Sequence, residues 1–460
     1  MSKPQVGRSV KCKDKRKMDI NQEPILYPDA AGIDLGAREI YVAVPPGRAE
    51  KSVRKFGSLT PDLHQLADWL LQCQVKTVAM EATGVYWIPL FQILEARGLE
   101  VFLVNAYHVK NVRGRKSDVS DCQWLQQLHR SGLLAASFRP DDLTVRVRSL
   151  LRHRDGVVAQ AAEHIQRMQK AFNEMNIQLH HVLSDITGTS GRAIIEAILG
   201  GERSPEKLAD LRDPRVKTPR ETIIKALSGD WRCEQLFTLQ QNYAAWQFFQ
   251  GQVAAIDGEM NIYYRQYASR GQDKPASESP LRSKKSKLQG VADLDMQSEL
   301  YRIAGVDLTA IPGVSTSSAR GILSEIGLDM SRWKSFKHFA SWMGLCPNTK
   351  ITGGKVIGSA TRKVKSRVAH ILRLCAWALS RSYSELGHFY RRMRARLGAP
   401  KAITALAHKL ARIIYHMLST REAYDETRFK VSEEEARRRH EARLKKQAQR
   451  LGFQLVPIQP

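Results

Sequence analysis

The stretch "AAGIDLGAREIYVAVPP", residues 30–46, reads as a strand, a tight turn at the second glycine and a second strand. It places a carboxylate, Asp34, inside an otherwise apolar strand, where an unpaired charge is costly. Two further short apolar runs follow, "KTVAMEATG" at 76–84 and "LEVFLVN" at 99–105, with helical patterns between them. The order strand, turn, strand, helix, strand describes an α/β domain, and Glu81 stands where "VAMEATG" leaves its strand. Asp then Glu on strands in that order is also the order of an RNase H-like fold.

Composition narrows the class. The chain has 460 residues, with 72 Lys plus Arg against 46 Asp plus Glu, for a formal charge of +26. Such a balance favours a polyanionic partner, nucleic acid first, through counterion release. The hydrophobic content of 43% contains no unbroken apolar run of membrane-spanning length, and "MSKPQVGRSVKCKDKRK" at the start lacks the apolar core of a secretory signal. These features predict a soluble intracellular protein with no membrane partner. The six cysteines are scattered without a C-x-x-C pair, which argues against a zinc site and a disulfide frame.

Beyond the α/β domain the apolar residues keep a seven-residue beat. Val158, Ile165, Phe172 and Leu179 fall in one register and Ala161, Met168, Met175 and Val182 in the other. After an insertion rich in Arg and Pro a second seam runs through Leu239, Trp246, Val253, Met260 and Tyr267, with Phe249, Ile256 and Tyr263, interrupted by Asn242. The expected elements are two long helices that pair as a coiled coil, within a chain or between chains, or else sit as core helices of one helical domain. Residues 269–290, "SRGQDKPASESPLRSKKSKLQG", have the polarity of a flexible linker. The domain that follows opens with "LTAIPGVSTSSARGILSEIG", 308–327, the turn and helix of a helix-hairpin-helix element whose backbone amides suit a phosphate.

From Met330 to Ser384 the sequence has no Asp or Glu, while Lys355, Arg362, Lys363, Lys365 and Arg367 accumulate and Trp333, Phe336, Phe339 and Trp342 are interleaved. A solvated basic face explains any charge run; the length of this acid-free window favours nucleic-acid contact. The expected organisation is a basic tail (1–27), an α/β domain (28–135), a helical coiled-coil region with an insertion (136–268), a linker (269–297), a mainly helical domain (298–425) and a charged helical tail (426–460).

Two more carboxylates, Asp118 and Asp121, lie three apart in "GRKSDVSDCQW", 114–124, on one face at the start of a predicted helix. Ser117 and these aspartates serve equally well as a helix cap and a favourable first-turn charge. With Asp34 and Glu81 they make four oxygen donors of the kind a pair of Mg²⁺ ions needs for phosphodiester chemistry.

The set Asp34, Glu81, Asp118 and Asp121, in "GIDLG", "MEATGVYW" and "RKSDVSD", resembles the DEDD signature of the insertion sequence 110 family of transposases, which are RNA-guided DNA recombinases. "IPGV" at Ile311 and "GLCP" at Gly344 resemble, in the same order, the family's second domain. The resemblance implies a RuvC-like first domain, a coiled coil and a C-terminal transposase domain. It implies Mg²⁺ held by the four carboxylates, and a hydroxyl of the second domain that attacks DNA to form a transient protein–DNA phosphoester. It implies a structured non-coding bridge RNA as guide, donor and target DNA, and a dimer or tetramer in which protomers share composite active sites. In the family the nucleophile is a serine just before glycine; the matching residue here is Thr352, in "KITGGK". Three readings stay open: Thr352 attacks, Ser359 attacks, or the carboxylates direct hydrolysis as in a RuvC-like nuclease or junction resolvase. A non-enzymatic scaffold that binds nucleic acid is a further alternative. Lys116, Lys355, Arg362, Lys363, Lys365 and Arg367 are the expected nucleic-acid contacts, although "TRKVK" at 361–365 departs from the lysine-glycine turn usual in the family.

Overall fold

The structure, a computed structural model, describes residues 24–82, 84–105, 118–270, 296–427, 438, 441–442, 444–445 and 447–454, with the backbone alone for 118–120. It divides into two compact units, Met1–Arg139 and Pro140–Pro460.

In the first unit, β1 (Ala30–Leu35), β2 (Glu39–Ala43), β3 (Val53–Gly57), α1 (Thr60–Gln72), β4 (Thr77–Glu81), α2 (Trp87–Ala96) and β5 (Glu100–Val104) precede α3 (Asp118–Arg130). The five strands form one mixed sheet in the order β3-β2-β1-β4-β5. β1 pairs antiparallel with β2, while β1, β4 and β5 run parallel. This mixed sheet is compatible with the RNase H-like expectation. β3 escapes the sequence reading because it is an edge strand: Arg54 and Lys55 are exposed and only Phe56 is fully buried.

Strand alternation divides the sheet into two faces. Ala31, Ile33 and Leu35 of β1, with Val78 and Met80 of β4, join Leu66 and Leu70 of α1 and Leu90 and Leu94 of α2 in one apolar core. The opposite face presents Ala30, Gly32 and Asp34 beside Thr77, Ala79 and Glu81, and α3 packs there.

The second unit begins with two long helices, α4 (Asp142–Glu174) and α9 (Cys233–Gln266). They pair antiparallel within the chain: Thr144 reaches Tyr267 beyond the end of α9, Arg154 reaches Asp257, and His164 reaches Asn242. Between them, α5 (Leu179–Val182), α6 (Thr189–Leu199), α7 (Pro205–Asp210) and α8 (Arg220–Leu227) pack on the distal end around Phe172, Met175, Ile194, Leu208 and Trp246. Several seam assignments shift, Val182 and Tyr267 also lying past the ends of α4 and α9. Val157 is buried and Val158 exposed, Tyr264 is buried in place of Tyr263, and Leu179 lies past the end of α4. A straight α-helix drifts against a strict seven-residue repeat, which accounts for one-residue slips of this kind. Asn242, expected to interrupt the seam, is buried in it, and its Oδ1 lies 2.9 Å from His164 Nδ1.

The chain continues through α10 (Met296–Ala304), α11 (Thr316–Ile326), α12 (Phe336–Trp342), a two-stranded hairpin of β6 (Lys350–Thr352) and β7 (Lys355–Gly358), α13 (Arg367–Ala378), α14 (Glu385–Leu397) and α15 (Ala399–Thr420). Most of the expected linker, 271–295, lies outside the described residues. Gly313, in the turn before α11, has φ of +80°, and a Cβ there would meet Leu379 Cγ at 2.6 Å. Packing and backbone conformation therefore account for this glycine. Ion pairs link α4 to α9 and both to α11. Arg154 donates to both oxygens of Asp257 at 2.7 and 2.9 Å, Arg320 stands 3.5 Å away, and Arg152 donates to both oxygens of Glu325. Trp333 and Phe339 are buried, their rings 4.9 Å apart, and Phe339 packs on Tyr415. Expected as aromatics interleaved with a binding face, these two are core residues. Among the described residues no helix is long and apolar enough to cross a membrane.

Candidate active site

Asp34 and Glu81 come together through the sheet. The parallel register pairs Ile33 with Met80, so Asp34 and Glu81, each one residue further, stand at the same level on neighbouring strands and point to the same face. Both are half-buried.

The third carboxylate arrives on α3. A Cβ at Gly32 would sit 2.3 Å from Cys122 O and 2.3 Å from Gln126 N, so the absence of a side chain lets the helix backbone lie directly on β1. Gln126 Nε2 donates to Ala30 O at 3.1 Å, and Thr77 Oγ1 lies 2.8 Å from His129 Nε2. Successive turns of α3, at 129, 126 and 122, thus meet successive positions of β1 and β4, and the helix runs antiparallel to them. Its N-terminal turn, with Asp118 and Asp121, lies toward the strand ends that carry Asp34 and Glu81. The buried Cys122 thiol senses this convergence. Burial foremost, then the charge of Asp34 and, more weakly, that of Asp121, push it up to about 12. It is therefore a neutral packing residue and not a nucleophile.

The far end of α3 is anchored in the core. His129 is fully buried between Tyr27 and Phe102, and burial lowers its pKa to about 4, so the ring is neutral near pH 7. The backbone N–H groups of Leu26 and Tyr27 donate to Arg130 O at 2.9 and 3.0 Å. Sequence reading passed over His129 and Gly32, although each fixes the helix that carries two of the four acids.

Asp34, Glu81 and Asp121 are hard oxygen donors of the type that Mg²⁺ or Ca²⁺ takes, and the shared strand end gives Asp34 and Glu81 a common direction. Among the described residues no three His, Cys, Asp or Glu groups stand close enough to hold a metal ion. The Asp118 side chain and Lys116 lie outside the described residues. The match to a metal is thus one of donor chemistry.

Thr352 stands in the second unit at the end of β6. The segment "KITGGK" forms a β-hairpin. Thr352 pairs with Lys355 across a two-residue turn, and Gly353 and Gly354 have φ of +53° and +74°. Positive φ at both central positions is the type I′ signature, and a Gly-Gly pair between "KIT" and "KVIG" was its sequence signal. Thr352, Lys355 and Ser359 are exposed, as are Lys363 and Lys365. Arg362 donates to the Ser341 backbone oxygen, and Arg367 reaches Asp155 at 3.3 Å, so both of these cations also have protein partners.

Residues 31–177 match the family model of the DEDD transposase of IS110, and residues 307–391 match the one described as Transposase IS116/IS110/IS902 family. A curated protein of Sinorhizobium fredii strain NGR234, y4pF/y4sB, whose name describes it as a transposase, is 35% identical over 127 residues, covering 25% of this chain and 32% of that protein. The chain thus spans about a third of the relative's length in that match. The two family models between them cover both the carboxylate-bearing unit and the region of the Thr352 hairpin, and the chain belongs to the IS110 family of transposases.

Proposed function

We propose that the protein is a DNA transposase that cuts and rejoins DNA strands through a covalent protein–DNA intermediate, with Asp34, Glu81, Asp118 and Asp121 as the acid set and the Thr352 hydroxyl as nucleophile. The observation that carries this reading is the shared level and face of Asp34 and Glu81 on adjacent parallel strands, with the N-terminal turn of α3 beside them. The carboxylates would hold Mg²⁺, which when bound supplies charge stabilisation at the scissile phosphate. The Thr352 oxygen forms a bond to phosphorus as the bridging P–O bond of the strand breaks, and the departing strand oxygen takes the proton. Attack by the hydroxyl of another strand end reverses the step, so the phosphodiester bond is conserved. Lys355, Arg362, Lys363, Lys365, Arg367 and Lys116 neutralise phosphates.

The guide is a structured non-coding RNA, a reading supported by a charge of +26, more than one DNA duplex requires. The functional form is a homo-oligomer in which the acids of one protomer act with Thr352 of another. From Gln235 to Ile256 α9 has no charged residue, and Phe237 and Phe248 are exposed on it, which supports pairing of this helix with a second copy in a coiled coil. The turn before α11 acts as a helix-hairpin-helix element.

Asp34→Ala, Glu81→Ala and Asp121→Ala are each expected to abolish recombination and leave RNA binding nearly unchanged; a triple variant that still recombines would refute the reading. A denaturant-resistant protein–DNA adduct, located by mass spectrometry, is expected on Thr352. An adduct on Ser359 moves the nucleophile, and cleavage that survives Thr352→Ala without any adduct favours a hydrolytic RuvC-like nuclease.

A further inference from the structure

α13 exposes a stripe that packing does not explain. Arg367, His370, Leu374 and Trp377 are exposed at spacings of three and four, so they share one side of the helix along about 15 Å. Arg381 and Tyr383 continue the exposed surface beyond its end. The opposite side, Val368, Leu372, Cys375 and Ala376, is buried. Trp377 is 63% exposed and Tyr383 91%; Phe237 and Phe248 of α9 are also exposed, but they lie in a stretch without charge, whereas these two rings stand among arginines.

The surroundings select the partner. The helix has no acidic residue; Asp155 pairs with Arg367 at 3.3 Å, and beyond Tyr383 the backbone N–H of Glu385 donates to Glu426 at 2.8 Å. Arg391 lies with its guanidinium 5.9 Å from the Tyr383 ring centre. A second copy of this face would set Arg367 and Arg381 against their own duplicates, at an electrostatic cost. A duplex offers phosphates but hides its base faces, leaving the rings without a use. Unpaired nucleotides offer both, since aromatic platforms within a basic groove bind single strands by stacking and phosphate neutralisation.

We infer that the Arg367–Trp377–Arg381 face of α13 binds single-stranded DNA, with Trp377 as the stacking platform and Tyr383 extending it. The commitment to DNA rests on the transposase reading, because strand exchange on DNA requires strands that are unpaired for part of the reaction.

The test is equilibrium binding of the full chain to a fluorescent single-stranded DNA, the matching duplex and an RNA of the same sequence, in EDTA so that no strand is cut. Trp377→Ala is expected to weaken single-stranded DNA binding at least about five-fold, with Trp377→Phe recovering most of it and duplex binding unchanged. Arg381→Ala should lower the slope of log affinity against log salt by about 0.7 on the single strand. Circular dichroism melting of Trp377→Ala is expected to match the parent, as the ring is exposed. No loss on the single strand, an equal loss on duplex, or a loss confined to RNA would each overturn the inference. Because the assay needs no catalysis, its failure leaves the carboxylate reading intact, and recombination by Asp34→Ala would overturn that reading without touching this one.

Discussion

The two regions assigned to chemistry are built in opposite ways. Asp34, Glu81 and the first turn of α3 stand on a five-stranded sheet whose other face is a closed apolar core, and the helix backbone rests on Gly32 with no side chain between. Thr352 stands on a two-stranded ribbon whose residues from 350 to 357 are all exposed, Ile351, Val356 and Ile357 among them. A lone hairpin is at best marginally stable in water. The two strand carboxylates thus stand on a packed sheet, whereas the Thr352 hydroxyl stands on a ribbon with little packing beneath it. That division suits an enzyme in which an exposed nucleophile must travel with a DNA strand while the charge-binding end stays fixed.

The largest effect should come from filling the contact that fixes α3. Gly32→Val places carbon where Cys122 O and Gln126 N already stand at 2.3 Å from an ideal Cβ, and backbone cannot step aside as a side chain can. A loss of about 3 kcal/mol in urea unfolding is expected, with recombination abolished although every carboxylate remains. A variant that keeps both stability and activity would show that the acid end is no more rigid than the ribbon.

Acid should discriminate the two regions next. His129 is neutral and buried, its pKa lowered from 6.5 to about 4, so the unfolded chain takes up a proton first as the pH falls. The stabilisation this represents is full above pH 6.5 and lost as the pH drops toward 4, by about 3 kcal/mol at most. Urea unfolding of the parent should weaken across that window, and His129→Gln should flatten the dependence. An unchanged slope would remove His129 as the anchor of α3.

The turn of the ribbon is expected to show a smaller, local effect. Gly354 has φ of +74°, where a β-branched residue costs roughly 1–2 kcal/mol. Gly354→Val should reduce adduct formation on Thr352 while the unfolding midpoint of the chain stays close to the parent, because the ribbon contributes little to the core. Gly353→Asn, which suits a type I′ turn, should retain activity. A large global destabilisation by Gly354→Val would contradict the separateness of the hairpin.

Much of this contrast was legible in the sequence, for physical reasons that differ by region. β1 and β4 announce themselves because strands covered on both faces are nearly continuous apolar runs, so Asp34 and Glu81 stand out as interruptions. Of the two edge strands, β5 keeps the apolar run Val101–Val104 and was legible, whereas β3 was hidden because exposed Arg54 and Lys55 leave Phe56 as its one fully buried residue. Gly32 looked like any small residue, because the need for glycine arises only when α3, remote in sequence, lands on it. The ion pairs of Arg154 with Asp257 and of Arg152 with Glu325 were illegible for the same reason: a charge within a heptad seam reads as a fault until its partner is known. The Gly-Gly turn was readable and was passed over in favour of the hydroxyls beside it.

The smallest expected effect is the most direct probe of what covers the ribbon. Ile351 faces the same side as its partner Val356, and both are exposed, so neither supports the fold of the isolated chain. Ile351→Thr keeps the β-branch and the strand preference, removing only apolar surface. Stability should move by no more than about 0.5 kcal/mol. If the Ile351–Val356 side is buried on assembly with DNA or a second protomer, the loss appears instead in the yield of protein–DNA adduct at limiting protein concentration, and raising the concentration restores it. A loss of stability well above that bound would mean the ribbon is already packed in the free protein, and the contrast with the acid end would then lie in sequence position alone.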